Sequence, residues 1–367
     1  MRLAVIGVGQ AGGRVADLLT NFSIWSGYKI VPMSLAVNTA KSDLMGLKTI
    51  PMKNRVLVGK TRVKGHGVGL DSELGSKIFK DDIHSIRRAL AEGEVHHSID
   101  AFMVIAGLGG GTGSGGAPVI ARDLKEFYDE PVYAIGILPT DDEGMIMVKN
   151  AVKSLQGLSE TVDSVILFDN NMWKREGLPI LESYNYMNYE LTKPLKILLE
   201  TGEVTSQERV GVKVIDASDV IRTLHEFTVA GHSDIRKPLG ERLKDSVNHL
   251  FIEKTSIDEL DPALKCFSAV RTAAMRLTAD CSLKDVRKAL MIIAGPPGDL
   301  NREGIEKGKG WLEQITGGEV RGGDYPTPRS TKLSGTVLFS GLRSPPRIKA
   351  LMDKVTEEQR IRESIAN

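Results

Sequence analysis

Two glycine-rich segments, each between a predicted strand and a predicted helix, constrain the fold of this chain more than any other feature. The first is GVGQAGG at residues 7–13, and the second is GGGTGSG at residues 109–115. Glycine lets the backbone come close to a bound group, and the free N–H groups that begin the following helix favour a negative charge. Both segments therefore predict phosphate-binding loops, because a simple turn would not require so many glycines.

Short apolar runs alternate with amphipathic stretches through the first half of the chain, beginning with RLAVIGVG and GGRVADLLTNF. This βαβ pattern predicts an α/β fold with a Rossmann-like, parallel, doubly wound sheet over residues 1–178. Ligands of such sheets bind at the carboxyl ends of the strands, which is where both glycine loops lie.

The second half of the chain has a different pattern. A long helix is predicted over residues 179–202, where Pro194 should kink or split it. Two helical stretches, around 237–252 and 262–278, come before the runs ALMIIAGPP, GGEVRGGDYPT and SGTVLFSGL. Helices followed by consecutive strands predict an α+β domain over residues 203–344, and residues 345–367 are predicted to form a charged helical tail.

The composition argues against several classes of protein. The 367 residues carry 48 Lys and Arg against 47 Asp and Glu, which disfavours a nucleic-acid-binding protein that works by bulk charge. No apolar run reaches the length of a transmembrane helix, and the first residues lack the pattern of a signal peptide. The two cysteines, Cys266 and Cys281, do not suggest a disulfide framework. We therefore expect a cytoplasmic protein with no nucleic-acid partner and no transmembrane segment.

The first glycine loop also matches the dinucleotide-binding fingerprint, with Gly7, Gly9 and Gly12 at the required spacing. A dehydrogenase would need an acid for the ribose at the end of the second strand, where this chain has Asn38. The second loop is not a Walker loop, since no Lys follows its glycines. Two loops of this kind predict a phosphate chain that is held from both sides, with Thr112 and Ser114 adding hydroxyl donors.

The segment GGGTGSG resembles the signature of the tubulin and FtsZ superfamily of GTPases, and the resemblance covers nearly the whole chain. The nucleotide loops of that family have similar segments here in the same order: GVGQAGGR, VNTAKSDL, GVGLDSELG, GGGTGSG and LPTDDEG. The resemblance implies that GTP or GDP is bound with Mg²⁺, for which Gln10 is the candidate ligand. The implied contacts to the phosphates and ribose are Gly9, Gln10, Ala11, Gly12, Gly13, Arg14, Asn38, Gly67, Val68, Gly69, Gly109, Gly110, Gly111, Thr112, Gly113, Ser114 and Glu143.

Recognition of guanine requires a buried acceptor and a buried donor, and Asn supplies both in one side chain. By the same resemblance, Asn170 and Asn188 fall on the base-reading positions, and Tyr184 falls where an aromatic ring stacks on the base. Tyr184 and Asn188 are four residues apart, a spacing that places them on one face of a helix. A site of this kind is expected to discriminate strongly against adenine.

The match is divided between the two branches of the superfamily. GQAGG is more similar to tubulin, whereas NTA and GGAP are more similar to FtsZ, and this mixture resembles the archaeal CetZ group. Two positions depart from the FtsZ pattern. Met147 stands where FtsZ proteins carry an Arg, for which Arg14 is a candidate substitute, and Val214 stands where an Asn usually begins the catalytic loop.

The catalytic candidates lie far along the chain, in KVIDASDVI, where Asp216 and Asp219 are three residues apart. Taken alone, the pattern is equally consistent with Asp219 as the N-cap of a helix. The resemblance implies that this loop presses on the GTP of the next subunit, where both acids polarise the attacking water. A monomer is then expected to bind GTP but hydrolyse it slowly, and head-to-tail contacts that do not close form filaments.

The implied function is a homopolymeric filament that takes part in the control of cell shape. Two alternatives stay open: a nucleotide-binding scaffold of the same fold that does not hydrolyse GTP, and a cell-division ring protein. The chain stops at TEEQRIRESIAN without the long linker by which FtsZ proteins reach membrane adaptors, which favours cell shape over division. Membrane or shape-control adaptors, of unknown identity, are candidate partners.

Overall fold

The computed structural model describes residues 1–93, 99–201, 203, 211, 213–236, 261–328 and 330–366. The strands of the described residues, numbered in chain order, are β1 Leu3–Val8, β2 Met33–Asn38, β3 Arg55–Leu57, β4 Ala101–Gly107, β5 Val132–Leu138, β6 Ser164–Asp169, β7 Glu226–Arg236, β8 Lys288–Gly295, β9 Glu319–Pro326 and β10 Lys332–Leu342. They form one ten-stranded sheet in the order β3-β2-β1-β4-β5-β6-β7-β10-β8-β9.

The half of the sheet from β1 to β6 is parallel and buried on both faces, as the predicted doubly wound fold requires. Every residue of β1, β2 and β6 is buried. Successive side chains of β1 enter different apolar clusters, so that Ala4 and Ile6 pack on one side of the sheet and Leu3 and Val5 on the other. The strand order changes direction between β1 and β4, which places a switch point at the two glycine loops.

Helices cover both faces of this half of the sheet. The helices that begin before residue 202 are α1 Gly9–Ser26, α2 Lys41–Met45, α3 Lys60–Val63, α4 Ser72–Asp81, α5 Ile83–Glu92, α6 Gly111–Phe127, α7 Met145–Ser159, α8 Asn170–Trp173 and α9 Ile180–Thr201. Apolar residues of α6 and α7 pack on one face, and those of α1 and α9 on the other.

The predicted central helix is α9, and it runs without interruption through Pro194. Of the two outcomes expected for Pro194, a kink or a split, the split does not occur. Leu191, Leu195 and Leu198 bury one side of α9 in the core on both sides of the proline, and this packing compensates for the missing N–H.

The second half of the chain extends the same sheet. β7 pairs in parallel with β6, and β10 pairs antiparallel with both β7 and β8, so the predicted mixed α+β arrangement is confirmed. The helices here are α10 Ala217–Thr223, α11 Pro262–Ala274, α12 Arg302–Thr316 and α13 Pro346–Ala366. The expected helical stretch around 237–252 lies outside the described residues.

One sequence expectation for this half is wrong. β8 and β9 were expected to follow each other as consecutive strands, but α12 lies between them and they pair in parallel. Parallel neighbours need a crossover connection of about a dozen residues, which α12 provides.

None of the helices described by the structure is both long enough and apolar enough to cross a bilayer.

Candidate functional site

A cavity of about 460 Å³ opens at the carboxyl ends of β1, β2, β4 and β5. All five predicted loops and the first part of α9 contribute to its wall. The predicted residues that line it are Gly9, Gln10, Ala11, Arg14, Asn38, Gly67, Val68, Gly69, Gly109, Gly110, Gly111, Thr112, Gly113, Glu143, Asn170, Tyr184 and Asn188. Segments that are far apart in the sequence therefore meet at the edge of the sheet where α/β proteins bind ligands.

The first and fourth loops approach each other at Gly9 and Gly113. Gly9 has a φ of +72°, and a Cβ added there would lie 3.1 Å from the Gly113 nitrogen, so both the conformation and the contact require glycine. Thr39 of the second loop and Thr112 of the fourth share a hydrogen bond of 2.7 Å between their hydroxyls. Three loops are thereby held together around one end of the cavity.

The helices that follow these two loops begin without a side-chain cap. Among the described residues, no side chain accepts a hydrogen bond from the first turn of α1 or α6, whereas Asp71 caps α4 at 2.9 and 3.0 Å. The first four N–H groups of a helix have no partner within the helix. Two uncapped N-termini at one cavity are suited to bind the oxygens of a phosphate chain.

Three predicted contacts do not line the cavity. Gly12 lies one turn into α1, and a Cβ there would overlap the carbonyl oxygen of Ile105, so this glycine lets the helix pack against β4. Gly13 faces Leu47. The Ser114 hydroxyl donates to the Gly110 carbonyl, and the residue lines a different cavity. In each case the helix has turned the residue away from the site.

Asn150 joins the third and fourth loops, and the sequence analysis missed it. Its Nδ2 donates to the Leu70 carbonyl at 2.8 Å and to the Gly109 carbonyl at 3.0 Å. Asn150 lies on α7 and is buried. An Asn in the middle of a helix gives no sequence signal for this role, because both of its partners belong to other parts of the chain.

Asp43 is a second residue that the sequence analysis missed. It lines the cavity from the short helix α2, and it accepts hydrogen bonds from Gln10 Nε2 at 3.2 Å and from Asn38 Nδ2 at 3.1 Å. The only available signal was its position as an acid within VNTAKSDL. Mg²⁺ in nucleotide sites is bound by one or two protein groups, phosphate oxygens and waters, and the pair Asp43 and Gln10 fits that requirement.

The opposite end of the cavity carries the predicted base and ribose contacts. Asn188 is buried and Tyr184 is half-exposed beside it on α9, while Asn170 begins α8. The Thr140 N–H donates to the Glu143 carboxylate at 3.0 Å, yet burial raises the pKa of this carboxyl above its usual value. Burial also raises the pKa of the Tyr184 phenol, with the Glu143 charge adding and the Arg14 charge opposing.

The loop at this end is tied to the C-terminal helix. Arg347 of α13 donates to Asp141 at 2.7 Å and to the Pro139 carbonyl at 2.8 Å, and its Nε lies 3.2 Å from the buried Asp169 carboxylate. Asp169 in turn accepts from the Asn171 N–H at 3.0 Å and so caps α8, where Asn170 lies. The Arg347 side chain therefore connects the tail of the chain to the predicted base-binding residue.

The position that departs from the FtsZ pattern, Met147, also lines the cavity, as does Arg14. A Cβ added to Gly109 would lie 2.8 Å from the Met147 methyl group. The wall that carries an Arg in FtsZ proteins is thus apolar here. Arg14 enters from α1, on the side of Tyr184.

Asp216 and Asp219 do not line the cavity of their own chain. They begin α10 as a capping box: Asp216 Oδ1 accepts from the Asp219 N–H at 3.0 Å, and Asp219 Oδ2 accepts from the Asp216 N–H at 3.3 Å. The N-cap is therefore Asp216 rather than Asp219. The Ser218 hydroxyl, which donates to Asp216 at 2.7 Å, is the main cause that lowers the pKa of the Asp216 carboxyl.

Comparison with known proteins agrees with this geometry. Residues 2–176 match the family model for the tubulin/FtsZ family GTPase domain, and residues 177–357 match the model for the tubulin-like CetZ C-terminal domain. The tubulin-like protein CetZ1 of Haloferax volcanii is 44% identical over 98% of this chain and 93% of its own length. The structure of a GDP-bound CetZ1 monomer from that organism superimposes with a TM-score of 0.84 at 42% identity, covering 98% of this chain and 100% of that one. The structure of a GTPγS-bound protofilament of CetZ2 from the same organism superimposes with a TM-score of 0.84 at 35% identity. It covers 99% of this chain and 100% of that one.

Proposed function

This chain belongs to the tubulin/FtsZ superfamily and to its CetZ group, and on that premise we propose that it is a cytoplasmic GTP-binding cytoskeletal protein that polymerises head to tail. Residues 1–178 are the GTP-binding domain of this proposal, residues 179–202 the central helix, and residues 203–344 the domain that carries the catalytic loop, followed by the tail 345–367. GTP is hydrolysed at the contact between subunits, and the filament takes part in the control of cell shape.

The observation that carries this proposal is the separation of the two halves of the site. The nucleotide cavity lies at the ends of the parallel strands, whereas Asp216 and Asp219 lie outside it on α10. Asp216 is exposed, Asp219 is partly buried, and the neighbouring Val214 is 44% exposed. Two acids that cannot serve their own nucleotide are suited to serve that of a neighbour, and a heterologous contact of this kind repeats into a filament.

At the phosphate end, the free N–H groups of α1 and α6 and the glycines between Gly109 and Gly113 bind the phosphate oxygens. Asp43 and Gln10 would hold Mg²⁺ beside them. When bound, the ion neutralises the negative charge on the phosphate oxygens. Asp216 and Asp219 of the adjoining subunit orient the attacking water and accept its proton.

At the other end of the cavity, Asn170 and Asn188 supply the paired donors and acceptors that guanine requires. Glu143 accepts a hydrogen bond from the ribose, and Tyr184 stacks on the base. Because Asn188 is buried, the wrong base would leave its amide unpaired. We therefore propose preference for GTP over ATP.

A complementation experiment tests the split site. N188D disables the cavity and keeps the acids, whereas D219A disables the acids and keeps the cavity. Each variant alone is expected to release little phosphate from GTP, and a mixture is expected to recover turnover, because some contacts then join an intact cavity to intact acids. Sedimentation checks that the two variants form mixed polymers.

Three results would contradict the proposal. Copolymers of N188D and D219A that show no recovery would place the whole site within one chain. Wild-type turnover per subunit that stays constant across a protein concentration series would do the same. If wild-type protein binds GTP, polymerises and never releases phosphate, the chain is a scaffold of the same fold.

A further inference from the structure

A second cavity, of about 470 Å³, lies between α4, α6 and α7. It is separate from the nucleotide cavity, although α6 contributes to both: Gly111 to Gly113 line the first, and Ser114 and the following turns line the second. Its volume is within the range of small-molecule binding sites. None of its residues has a role in the function proposed above except Asn150, which holds two nucleotide loops.

The rim of this cavity is positively charged. Lys77 and Lys80 come from α4, Arg122 from α6 and Lys153 from α7, against the two acids Glu73 and Asp81. Both acids are already paired, since Glu73 lies 2.8 Å from Lys153 and Asp81 lies 2.8 Å from Arg62. Within the described part of the chain, Lys77, Lys80 and Arg122 form no ion pair. Three cations are therefore left without counter-charges around one cavity.

The wall contains a buried hydroxyl that lacks a partner. Ser154 is 2% exposed, lines the cavity, and its Oγ makes no hydrogen bond among the described residues. A serine inside a helix ordinarily donates to the carbonyl four residues before it, and Ser154 does not. Unsatisfied buried polar atoms are uncommon in folded proteins because they lose their hydration without compensation.

We propose that this cavity binds a small anion that carries a phosphate ester, with Lys77, Lys80 and Arg122 around the phosphate and the Ser154 hydroxyl, after rotation about its Cα–Cβ bond, donating to one of its oxygens. A phosphate offers three acceptor oxygens and a charge near −2, which matches one hydroxyl donor and three free cations. Inorganic phosphate shares this chemistry, and the experiment separates the two.

Binding here is coupled to the nucleotide site through residues that line the second cavity and donate hydrogen bonds to the nucleotide loops. Asn150 lines the second cavity and donates to Leu70 and Gly109 of the nucleotide loops, and Ser114 lines it and donates to Gly110. An anion that shifts α7 or the first turn of α6 changes the position of the phosphate loop. By linkage, the anion and GTP must then change each other's affinity by the same factor.

The test uses the full chain saturated with GDP, so that the nucleotide cavity is filled. Glycerol 3-phosphate and inorganic phosphate are titrated in separate calorimetric experiments. We expect saturable binding of at least one probe. K77A/R122A should weaken this binding about tenfold, and K125A, on the same helix as Arg122, should leave it unchanged. Stronger binding of the ester identifies an organic ligand, and equal binding identifies phosphate itself.

Ser154 gives an independent test. S154A removes an unpaired buried hydroxyl, so the ligand-free variant is expected to melt at or above the wild-type temperature while its affinity for the probe falls severalfold. A purely structural role would lower the melting temperature and leave the affinity unchanged.

Two results would overturn the proposal: no saturable binding to GDP-saturated protein, or binding that K77A/R122A and K125A affect equally. Absence of binding together with altered filament bundling in K77A/R122A would assign this surface to contacts between copies of the chain. Because the binding experiments are done with GDP bound and without turnover, failure of this proposal is distinguishable from failure of the proposed hydrolysis.

Discussion

Arg321 of β9 donates a hydrogen bond of 2.6 Å from Nη1 to Oδ1 of Asp219, which lies 102 residues earlier in the chain. The same guanidinium donates from Nη2 to Glu319 at 2.9 Å. The other oxygen of Asp219 accepts from the Asp216 backbone. The proposed catalytic acid is thus held by contacts on both oxygens within its own subunit before a neighbour arrives.

Removal of Arg321 should impair hydrolysis without impairing nucleotide binding. R321A frees Asp219 from one of its two contacts, and a loosely placed group lowers turnover by roughly tenfold or more. GDP affinity should stay at the wild-type value, because Arg321 does not line the nucleotide cavity. E319Q is the matched control, since it removes the charge of the other partner of Arg321 and leaves Asp219 paired. Equal turnover in R321A and wild type would remove Arg321 from the catalytic arrangement.

The roles of Asp216 as a cap and as a catalytic acid are separable. Asn is as good an N-cap as Asp, so D216N should keep the stability of α10 while it removes the charge that acts on water. We expect phosphate release to fall at least roughly a hundredfold, with polymers that disassemble more slowly. S218A, which removes only the hydroxyl bonded to Asp216, should retain most of the activity. Turnover in D216N comparable to wild type would mean that Asp216 is a cap alone.

Asp43 should control the requirement for Mg²⁺. D43N keeps a side chain that can bond to Gln10 and Asn38 but removes the carboxylate. We expect the Mg²⁺ concentration for half-maximal phosphate release to rise by roughly tenfold. S42A, at the neighbouring position in the cavity wall, is the control. An unchanged Mg²⁺ dependence in D43N would exclude a role for Asp43 at the ion.

Glu200 should make stability fall as the pH rises through neutrality. Burial on α9 raises the pKa of its carboxyl from 4.5 to about 7, with the Lys196 charge opposing. The unfolded chain releases this proton near pH 4.5 and the folded protein near pH 7, so the native state binds more protons in between and loses stability as the pH rises.

E200Q should therefore gain stability relative to wild type as the pH rises. The gain between pH 4 and pH 8 is expected to be on the order of 3 kcal/mol in the free energy of unfolding. Urea denaturation at both pH values measures it, with E182Q, exposed on the same helix, as control. If the difference in unfolding free energy between E200Q and wild type does not depend on pH, Glu200 ionises normally.

Arg347 should affect both stability and guanine-nucleotide affinity. R347A leaves the Asp169 carboxylate, 2% exposed, without its counter-charge, and loss of one partner of a buried pair costs about 3 kcal/mol. Nucleotide affinity should also fall, because Asp169 caps the helix that begins at Asn170. K354A is the control, because it removes an exposed cation that lies 2.5 Å from Asp141. This variant should lose less than about 1 kcal/mol of the free energy of unfolding. Equal effects of the two variants would show that the Asp169 contact contributes little.

The sequence by itself determined the parallel α/β half, the two glycine loops and most of the residues that line the cavity. These are local properties: apolar periodicity selects strand or helix, and glycine marks a backbone that must come close to another group. The same reasoning explains its errors. Gly12 and Ser114 lie in the right segments, but the direction in which each residue faces depends on how the helix packs against its neighbours.

Only the tertiary structure decided which distant residues meet. The Asp219–Arg321 pair, the contacts of Asn150 to two loops, the Asp43 carboxylate beside Gln10 and the unpaired Ser154 hydroxyl all depend on elements far apart in the chain. No short sequence window contains both members of such a contact. Their distances are set by the packing of helices on a common sheet, which is a property of the whole fold.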